Sequence, residues 1–213
     1  SSAASDVYKR QIFTMYPRAA VSARRIQEAL DMTSEIVEAE QPVTEGKTKG
    51  YVEFKNVTFA YPGHAESPVI RNVSFTASPG ETVAFIGSTG SGKSTLIQLI
   101  PRFYDVTKGQ VLIDGIDVRE YSLSALRNKI GFIPQKALLF TGTIAENLRY
   151  GKEDATQADL ERAVEIAQAA DFIAKTPDGF DARLAEGGTN FSGGQKQRLA
   201  IARAVIRLSL IQI

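Results

Sequence analysis

The chain between Gly87 and Thr95 reads Gly-Ser-Thr-Gly-Ser-Gly-Lys-Ser-Thr. It follows the apolar run Thr82-Val83-Ala84-Phe85-Ile86 and precedes the apolar stretch from Leu96 to Ile100. This order predicts a strand, a glycine-rich loop and a helix, which is the setting of a phosphate-binding P-loop. An ordinary Gly/Ser turn would reproduce the pattern by chance in about one chain of this length in a hundred. The stretch therefore predicts a domain that binds a nucleoside triphosphate.

The positions of this loop have expected physical roles. Gly87, Gly90 and Gly92 carry no Cβ, so the backbone can adopt positive φ angles and its N–H groups can approach phosphate oxygens. Lys93 is expected to reach the β- and γ-phosphates, and the Ser94 hydroxyl to complete the shell of a Mg²⁺ ion. The other predicted nucleotide-binding residues of the loop are Ser88, Thr89, Ser91 and Thr95.

Composition excludes several classes of protein. With 25 basic and 24 acidic side chains the net charge is +1, so the chain offers no broad cationic face for nucleic acid. It contains no cysteine, which excludes disulfides and thiolate metal sites. No apolar run approaches the roughly 18 residues of a membrane-spanning helix. The single histidine, His64, lies in a turn-rich segment, and we assign it no role.

Hydrophobic periodicity predicts the surrounding elements. A helix is expected from Arg18 to Glu38, after an interruption at Pro17, and a polar linker from Gln41 to Gly50. The alternating segments Tyr51–Phe59 and Val69–Ala77 predict an antiparallel pair of strands. Strands alternating with helices around a P-loop indicate an α/β fold. Further predicted strands are 110–113 and 130–133, and further predicted helices are 94–103, 124–128, 144–148, 157–169, 171–175 and 193–206.

A second motif lies farther along, where Thr189 to Arg198 read Thr-Asn-Phe-Ser-Gly-Gly-Gln-Lys-Gln-Arg and Ser192 follows Gly87 by 105 positions. Ser192 can cap the helix that follows, and the Gly193 and Gly194 amides are free to approach a ligand, which predicts a second anion site. Taken alone, a Ser-Gly-Gly turn is a common start of a helix.

Taken together with the P-loop, Phe191-Ser192-Gly193-Gly194-Gln195 closely resembles the signature motif of ATP-binding cassette ATPases. Tyr61, in Phe59-Ala60-Tyr61-Pro62, resembles the aromatic residue that stacks on adenine in that family; the alternative is a tyrosine that merely ends a strand. Gln135, in Gly131-Phe132-Ile133-Pro134-Gln135, resembles the family's Q-loop glutamine, which attends Mg²⁺ or the attacking water; the alternative is a generic loop glutamine.

The resemblance covers residues 51 to about 207 and implies a fold, cofactors and a mode of action. The fold is an α/β P-loop NTPase cassette with a RecA-like core, an antiparallel β subdomain and a helical signature subdomain at about 137–200, incomplete at its C-terminus. The implied cofactors are ATP and Mg²⁺, the latter held by Ser94 and Gln135. Phe191 to Gln195 would contact the ATP of a partner cassette in a homo- or heterodimer.

Two further segments resemble exporters whose membrane domain precedes the cassette. These segments are Leu139 to Leu148, after the Q-loop, and Pro17 to Ile26, before the cassette. On this interpretation residues 12–49 are the cytoplasmic end of the last transmembrane helix plus a linker, and 50–207 are a partial nucleotide-binding domain. A soluble amphipathic appendage is the alternative for 12–49. The implied location is the cytoplasmic face of the membrane, with transmembrane domains as partners, and Ala185-Glu186-Gly187-Gly188 would be the X-loop that contacts them.

Other family motifs are not found. Family cassettes continue after the signature helix into a Walker B strand that ends in Asp-Glu, and later carry a switch histidine, whereas no acidic residue follows Glu186 here. We therefore assign no catalytic residue and expect no meaningful ATP hydrolysis by this polypeptide, with a tendency to aggregate. Residues 1–11 and 208–213 fit neither the helix pattern nor the family and are interpreted as non-native tails.

Three hypotheses on function follow. The first is the ATP-hydrolysing half of an exporter. The second is a non-hydrolytic module that holds ATP at a degenerate site of a heterodimeric exporter. The third, a DNA-repair or chromosome-organising ATPase, is disfavoured because the interval from Gln135 to Ser192 shows no heptads for a coiled coil and the charge is balanced.

Overall fold

The computed structural model describes residues 2–31, 34, 36–44, 49–207 and 211–212. They divide into a helical unit that extends to Val37 and a larger unit from Glu38 onward. Each unit is described by itself.

The first unit contains helix α1 (Ser2–Leu30), which differs from the predicted helix at both ends. Pro17 lies inside it. The helix continues through Pro17 because the fixed φ of proline is helical and the surrounding Ala- and Arg-rich sequence favours helix. It ends at Leu30 rather than at Glu38, and beyond it the Ser34 hydroxyl accepts a local hydrogen bond from the Ile36 N–H at 3.2 Å. Residues 2–11 of the predicted tail belong to this helix, and residue 1 lies outside the described residues.

An antiparallel sheet opens the larger unit and confirms the predicted strand pair. Its strands are β1 (Val52–Phe59), β2 (Ile70–Ala77), β3 (Lys108–Ile113) and β4 (Ile116–Asp117), in the order β2-β1-β3-β4. The register of β1 shifts after Phe54, and Asn56 adopts a φ of 48°. This bulge breaks the two-residue alternation, so that both Phe54 and Val57 are buried on the core side.

The remaining elements are short. The helices are α2 (Lys93–Leu99), α3 (Leu123–Asn128), α4 (Ile144–Arg149), α5 (Gln157–Ile166), α6 (Ala170–Ala174) and α7 (Gly193–Val205). The strands are β5 (Ile130–Gly131), β6 (Gly142–Thr143), β7 (Arg183–Leu184) and β8 (Ile211–Gln212). Single 3₁₀ turns lie at Gly179–Asp181 and Glu186–Gly188.

Two predicted helices end earlier than expected. Helix α2 stops at Leu99 rather than at residue 103 because Pro101 follows, and proline cannot continue the hydrogen-bond ladder. Helix α5 stops at Ile166 rather than at residue 169 because Gln168 adopts a left-handed φ of 56°, a typical helix-ending conformation. The other predicted helices of the larger unit are confirmed within one residue at each end.

The predicted strand at Thr82–Ile86 is wrong for this structure. The segment forms no strand, and Ile86 is 96 % exposed. A strand needs a neighbour for its N–H and C=O groups, and no described segment pairs with this one. Of the predicted strand 130–133, only residues 130–131 form a strand, β5. It pairs in parallel with β8, with Ile130 opposite Ile211. Residues 211–212 of the predicted tail form β8 and are thus part of a sheet. Residues 208–210 and 213 of that tail lie outside the described residues.

Two apolar cores are buried in the described part of the larger unit. One lies between the antiparallel sheet and α2 and α3, and its fully buried members include Phe54, Leu99, Val111 and Leu126. The other spans Leu139 to Ile206 and unites α4, α5 and α7. Among the described helices, none is long and apolar enough to span a membrane.

Candidate nucleotide-binding site

The glycines of the P-loop meet two different requirements. Gly90 and Gly92 adopt φ angles of 83° and 88°, and Gly92 is the N-cap of α2. A Cβ on Gly92 would lie 2.8 Å from Ile70 Cδ1, so both conformation and space require glycine there. The expectation of a positive φ angle is wrong for Gly87. A Cβ there would lie 2.8 Å from Ser91 Oγ, so the requirement is close packing.

Lys93 folds back over the loop that precedes it. Its Nζ donates hydrogen bonds to the carbonyl oxygens of Gly87 and Ser88, both at 2.7 Å, and to Ser91 Oγ at 3.2 Å. The ammonium is therefore held over the same short loop whose N–H groups are expected to receive phosphates. The lysine and the loop backbone together can neutralise and orient a polyphosphate.

The two hydroxyl residues that follow Lys93 differ in environment. Ser94 is exposed, and its hydroxyl makes no hydrogen bond to any described residue. Thr95 is 6 % exposed, and its Oγ1 lies 2.8 Å from the hydroxyl of Tyr61. Of this pair, the uncommitted Ser94 oxygen fits a hard cation, which prefers oxygen ligands.

Tyr61 lies in an aromatic cluster just beyond the end of β1. Its ring meets Phe59 edge-on at 5.0 Å between centroids, and Tyr104 edge-on at 5.3 Å. The structure thus brings the Tyr61 hydroxyl to the P-loop helix. It does not do so for Gln135, which is exposed on the segment after β5 and has no hydrogen bond to the P-loop in the described part of the chain.

The second motif starts α7 with a full capping box. Ser192 Oγ accepts a hydrogen bond from the Gln195 N–H at 3.3 Å, and Gln195 Oε1 accepts one from the Ser192 N–H at 2.8 Å. The predicted cap at Ser192 is confirmed. Apart from its chain neighbours and the backbone of α7, no described atom lies within 4 Å of the position that a Cβ on Gly193 would take, and residues 192–194 are exposed. Phe191 packs against the second core.

The segment predicted as the X-loop is held to the start of α7. Lys196 Nζ donates to the Gly187 carbonyl at 3.3 Å. Asn190 links the same segment to β7, because its amide donates to Arg183 O at 2.9 Å and its carbonyl accepts from the Ala185 N–H at 3.1 Å. Residues 185–188 are therefore hydrogen-bonded both to the first turn of α7 and to the chain that follows β7.

Sequence reasoning missed Arg203. From α7 its Nη2 donates to the Leu138 carbonyl at 2.8 Å, and its guanidinium lies over the Phe140 ring at 5.6 Å. Burial lowers the pKa of this guanidinium below its ordinary value. Arg203 thus connects α7, which begins at the signature motif, to the chain that follows Gln135. The available signal was a cation one turn beyond the apolar pair Leu199 and Ala200 on the same helix face.

Comparisons with known proteins agree on one family. Residues 70–213 match the ABC transporter family. An uncharacterised ABC transporter ATP-binding protein of Mycobacterium bovis is 50 % identical over 202 residues, which cover 92 % of this chain and 34 % of that protein. An ATP-dependent lipid A-core flippase of Syntrophus aciditrophicus is 42 % identical over 191 residues, which cover 90 % of this chain and 31 % of the flippase.

Similarity extends to solved structures. A bacterial Atm1-family ABC exporter with ATP bound superimposes with a TM-score of 0.81 at 34 % identity, covering 92 % of this chain and 34 % of the exporter chain. This likeness and the family match confirm the cassette fold expected from the sequence. The chain spans about a third of the length of the curated relatives it matches.

Proposed function

The chain belongs to the ABC transporter family, and from that membership we propose that it is the ATP-binding part of an exporter, which couples ATP binding and hydrolysis to movement of a substrate across a membrane. The observation that carries this proposal is Lys93, held at 2.7 Å over the glycine-rich loop by the carbonyls of Gly87 and Ser88. The named flippase and exporter relatives support the transport direction.

In this proposal the residues of the first motif act on one nucleotide. Lys93 and the N–H groups of residues 87–92 bind and orient the phosphates of ATP. Ser94 would hold Mg²⁺, which would supply charge neutralisation for the phosphates. Gln135, which has no hydrogen bond to the P-loop in the described part of the chain, would join Ser94 only if its segment moves to the loop. Tyr61 offers its ring to the adenine.

The signature motif acts on a second nucleotide. Ser192, Gly193 and Gly194, at the open start of α7, would contact the γ-phosphate of ATP bound to a partner cassette. Closing the pair then depends on ATP, and reopening on its hydrolysis. The partners proposed are therefore a second cassette and transmembrane domains, at the cytoplasmic face of the membrane.

Hydrolysis is a separate part of the proposal. Phosphate release from the purified chain measures it, with Lys93→Ala as the variant that should abolish any release that depends on the P-loop. Release that Lys93→Ala leaves unchanged would contradict a role of this loop in turnover.

ATP binding itself is tested by removing the lysine ammonium. Titration calorimetry with MgATP should show Lys93→Ala binding at least tenfold more weakly than the unchanged chain, since charge-assisted hydrogen bonds contribute about 1.5–3 kcal/mol. Lys108→Ala, which truncates an exposed lysine at the start of β3, is the matched control and should bind as before. Equal affinities for the two variants would refute the proposed nucleotide site.

A further inference from the structure

A partly buried hydrogen bond joins the aromatic cluster to the P-loop helix. Tyr61 lies beyond β1 and Thr95 lies in the first turn of α2, yet their hydroxyl oxygens are 2.8 Å apart. Thr95 is 6 % exposed and Tyr61 is half-buried. Water therefore competes little for this bond, and a partner left alone would lose its hydrogen bond without full compensation from solvent.

The same bond completes the restraint on the Tyr61 ring. Phe59 meets the ring at an interplanar angle of 79° and Tyr104 at 89°, so two edge-to-face contacts restrict its tilt. Neither contact fixes the far end of the side chain. The Thr95 hydroxyl does so, because it holds the phenolic oxygen to a helix.

Thr95 also belongs to the same helical turn as the phosphate-directed residues Lys93 and Ser94. Its side chain is directed to Tyr61, whereas the Lys93 ammonium is bonded to the loop. One turn of helix thus carries both the group that meets the phosphates and the group that orients the aromatic ring. A ring oriented in advance loses less side-chain freedom when a flat base stacks on it.

We propose that Thr95 is a positioning residue that sets how much the nucleotide base contributes to affinity, and that it acts through the hydroxyl of Tyr61. The inference rests on the proposed function, because it concerns the base of the same nucleotide. It predicts that the hydroxyls of Thr95 and Tyr61 act as a unit, with no separate contribution from either.

The test compares ATP with inorganic tripolyphosphate, which carries phosphates and no base. Calorimetry at matched Mg²⁺ and ionic strength gives a dissociation constant for each ligand. The dissociation constant of tripolyphosphate divided by that of ATP is the ratio that reports the contribution of the nucleoside. The variants are Thr95→Val, Tyr61→Phe, the double variant and Thr95→Ser. Tyr51→Phe, a hydroxyl deletion at the opposite end of β1, is the control, and thermal melts establish that each variant is folded.

We expect Thr95→Val and Tyr61→Phe each to lower the ratio about three- to tenfold, the effect of one lost hydrogen bond. The double variant should lower it no further, because the second deletion removes nothing that remains. Thr95→Ser keeps the hydroxyl and should restore the ratio, and tripolyphosphate binding should be the same in all variants.

Three outcomes would overturn the inference. Additive effects in the double variant would show that the hydroxyls act separately. Equal weakening of ATP and tripolyphosphate would place Thr95 in phosphate binding, and an unchanged ratio would remove its role altogether. These outcomes leave the proposed function intact, whereas an unchanged chain that binds neither ligand would refute both.

Discussion

At the scale of single residues, the phosphate loop depends on glycine for two separable reasons. Gly92 has a left-handed φ of 88°, and a Cβ there would also meet Ile70 Cδ1 at 2.8 Å and Val69 Cγ1 at 3.1 Å. Gly63 has a similar φ of 77° but nothing within 4 Å of the same position. The two glycines therefore allow backbone strain to be measured apart from steric conflict.

We expect Gly63→Ala to lower the free energy of unfolding by about 1 kcal/mol, the strain of a left-handed alanine. Gly92→Ala should cost about 1–3 kcal/mol more, because the added methyl also displaces the side chains of the β2 start. Urea denaturation followed by circular dichroism measures both. Equal losses would mean that the packing around Gly92 adapts freely.

At the scale of elements, three helices of the second core begin with capping boxes. Helices α4, α5 and α7 pair Thr143 with Glu146, Thr156 with Asp159, and Ser192 with Gln195. Such local signals make these helix starts predictable from sequence. The boxes differ in one respect, since Asp159 and Glu146 can be protonated and Gln195 cannot.

The cap of α5 should respond to pH. Hydrogen bonds from the Thr156 N–H, Lys152 and the Thr156 hydroxyl lower the pKa of the Asp159 carboxyl. A carboxyl whose pKa is lower in the folded than in the unfolded state stabilises the fold at pH values above its unfolded pKa, which is near 3.9. This stabilisation is lost as the pH falls through the folded-state pKa. Asp159→Asn should therefore be less stable than the unchanged chain at pH 7, and the difference should shrink as the pH falls below the unfolded value near 3.9.

Urea midpoints at several pH values measure this difference. Asp171→Asn, in the first turn of α6 where no side-chain cap forms, is the control and should not show the same convergence. A gap between Asp159→Asn and the unchanged chain that persists at the lowest pH would contradict the assignment.

At the scale of the whole molecule, local order should vary with strand pairing. Strand β1 is flanked by β2 and β3, whereas residues 82–86 pair with no described strand. Hydrogen exchange read by mass spectrometry should show slow exchange for peptides from β1 and fast exchange for peptides from 82–86. Slow exchange at 82–86 would indicate a hydrogen-bonded partner that the structure does not contain.

The same distinction explains how much the sequence could predict. The helix that follows the glycine-rich loop, the Ser192 cap and the β1–β2 pair follow from neighbouring residues, and they were predicted correctly. The state of residues 82–86 depends on a pairing partner distant in sequence, and the run of apolar residues alone does not reveal it. The contact of Tyr61 with Thr95 likewise has no local signal, because the fold alone brings the two residues together.

The bonds of the Lys93 ammonium have a consequence for binding kinetics. The ammonium's three N–H groups are all engaged within the loop, by two carbonyls at 2.7 Å and by Ser91 Oγ at 3.2 Å, so an incoming phosphate must displace at least one of these acceptors. Encounter and capture are then separate steps, and the observed association rate should level off at high nucleotide concentration. The plateau would be the rate at which the lysine exchanges a loop acceptor for a phosphate oxygen.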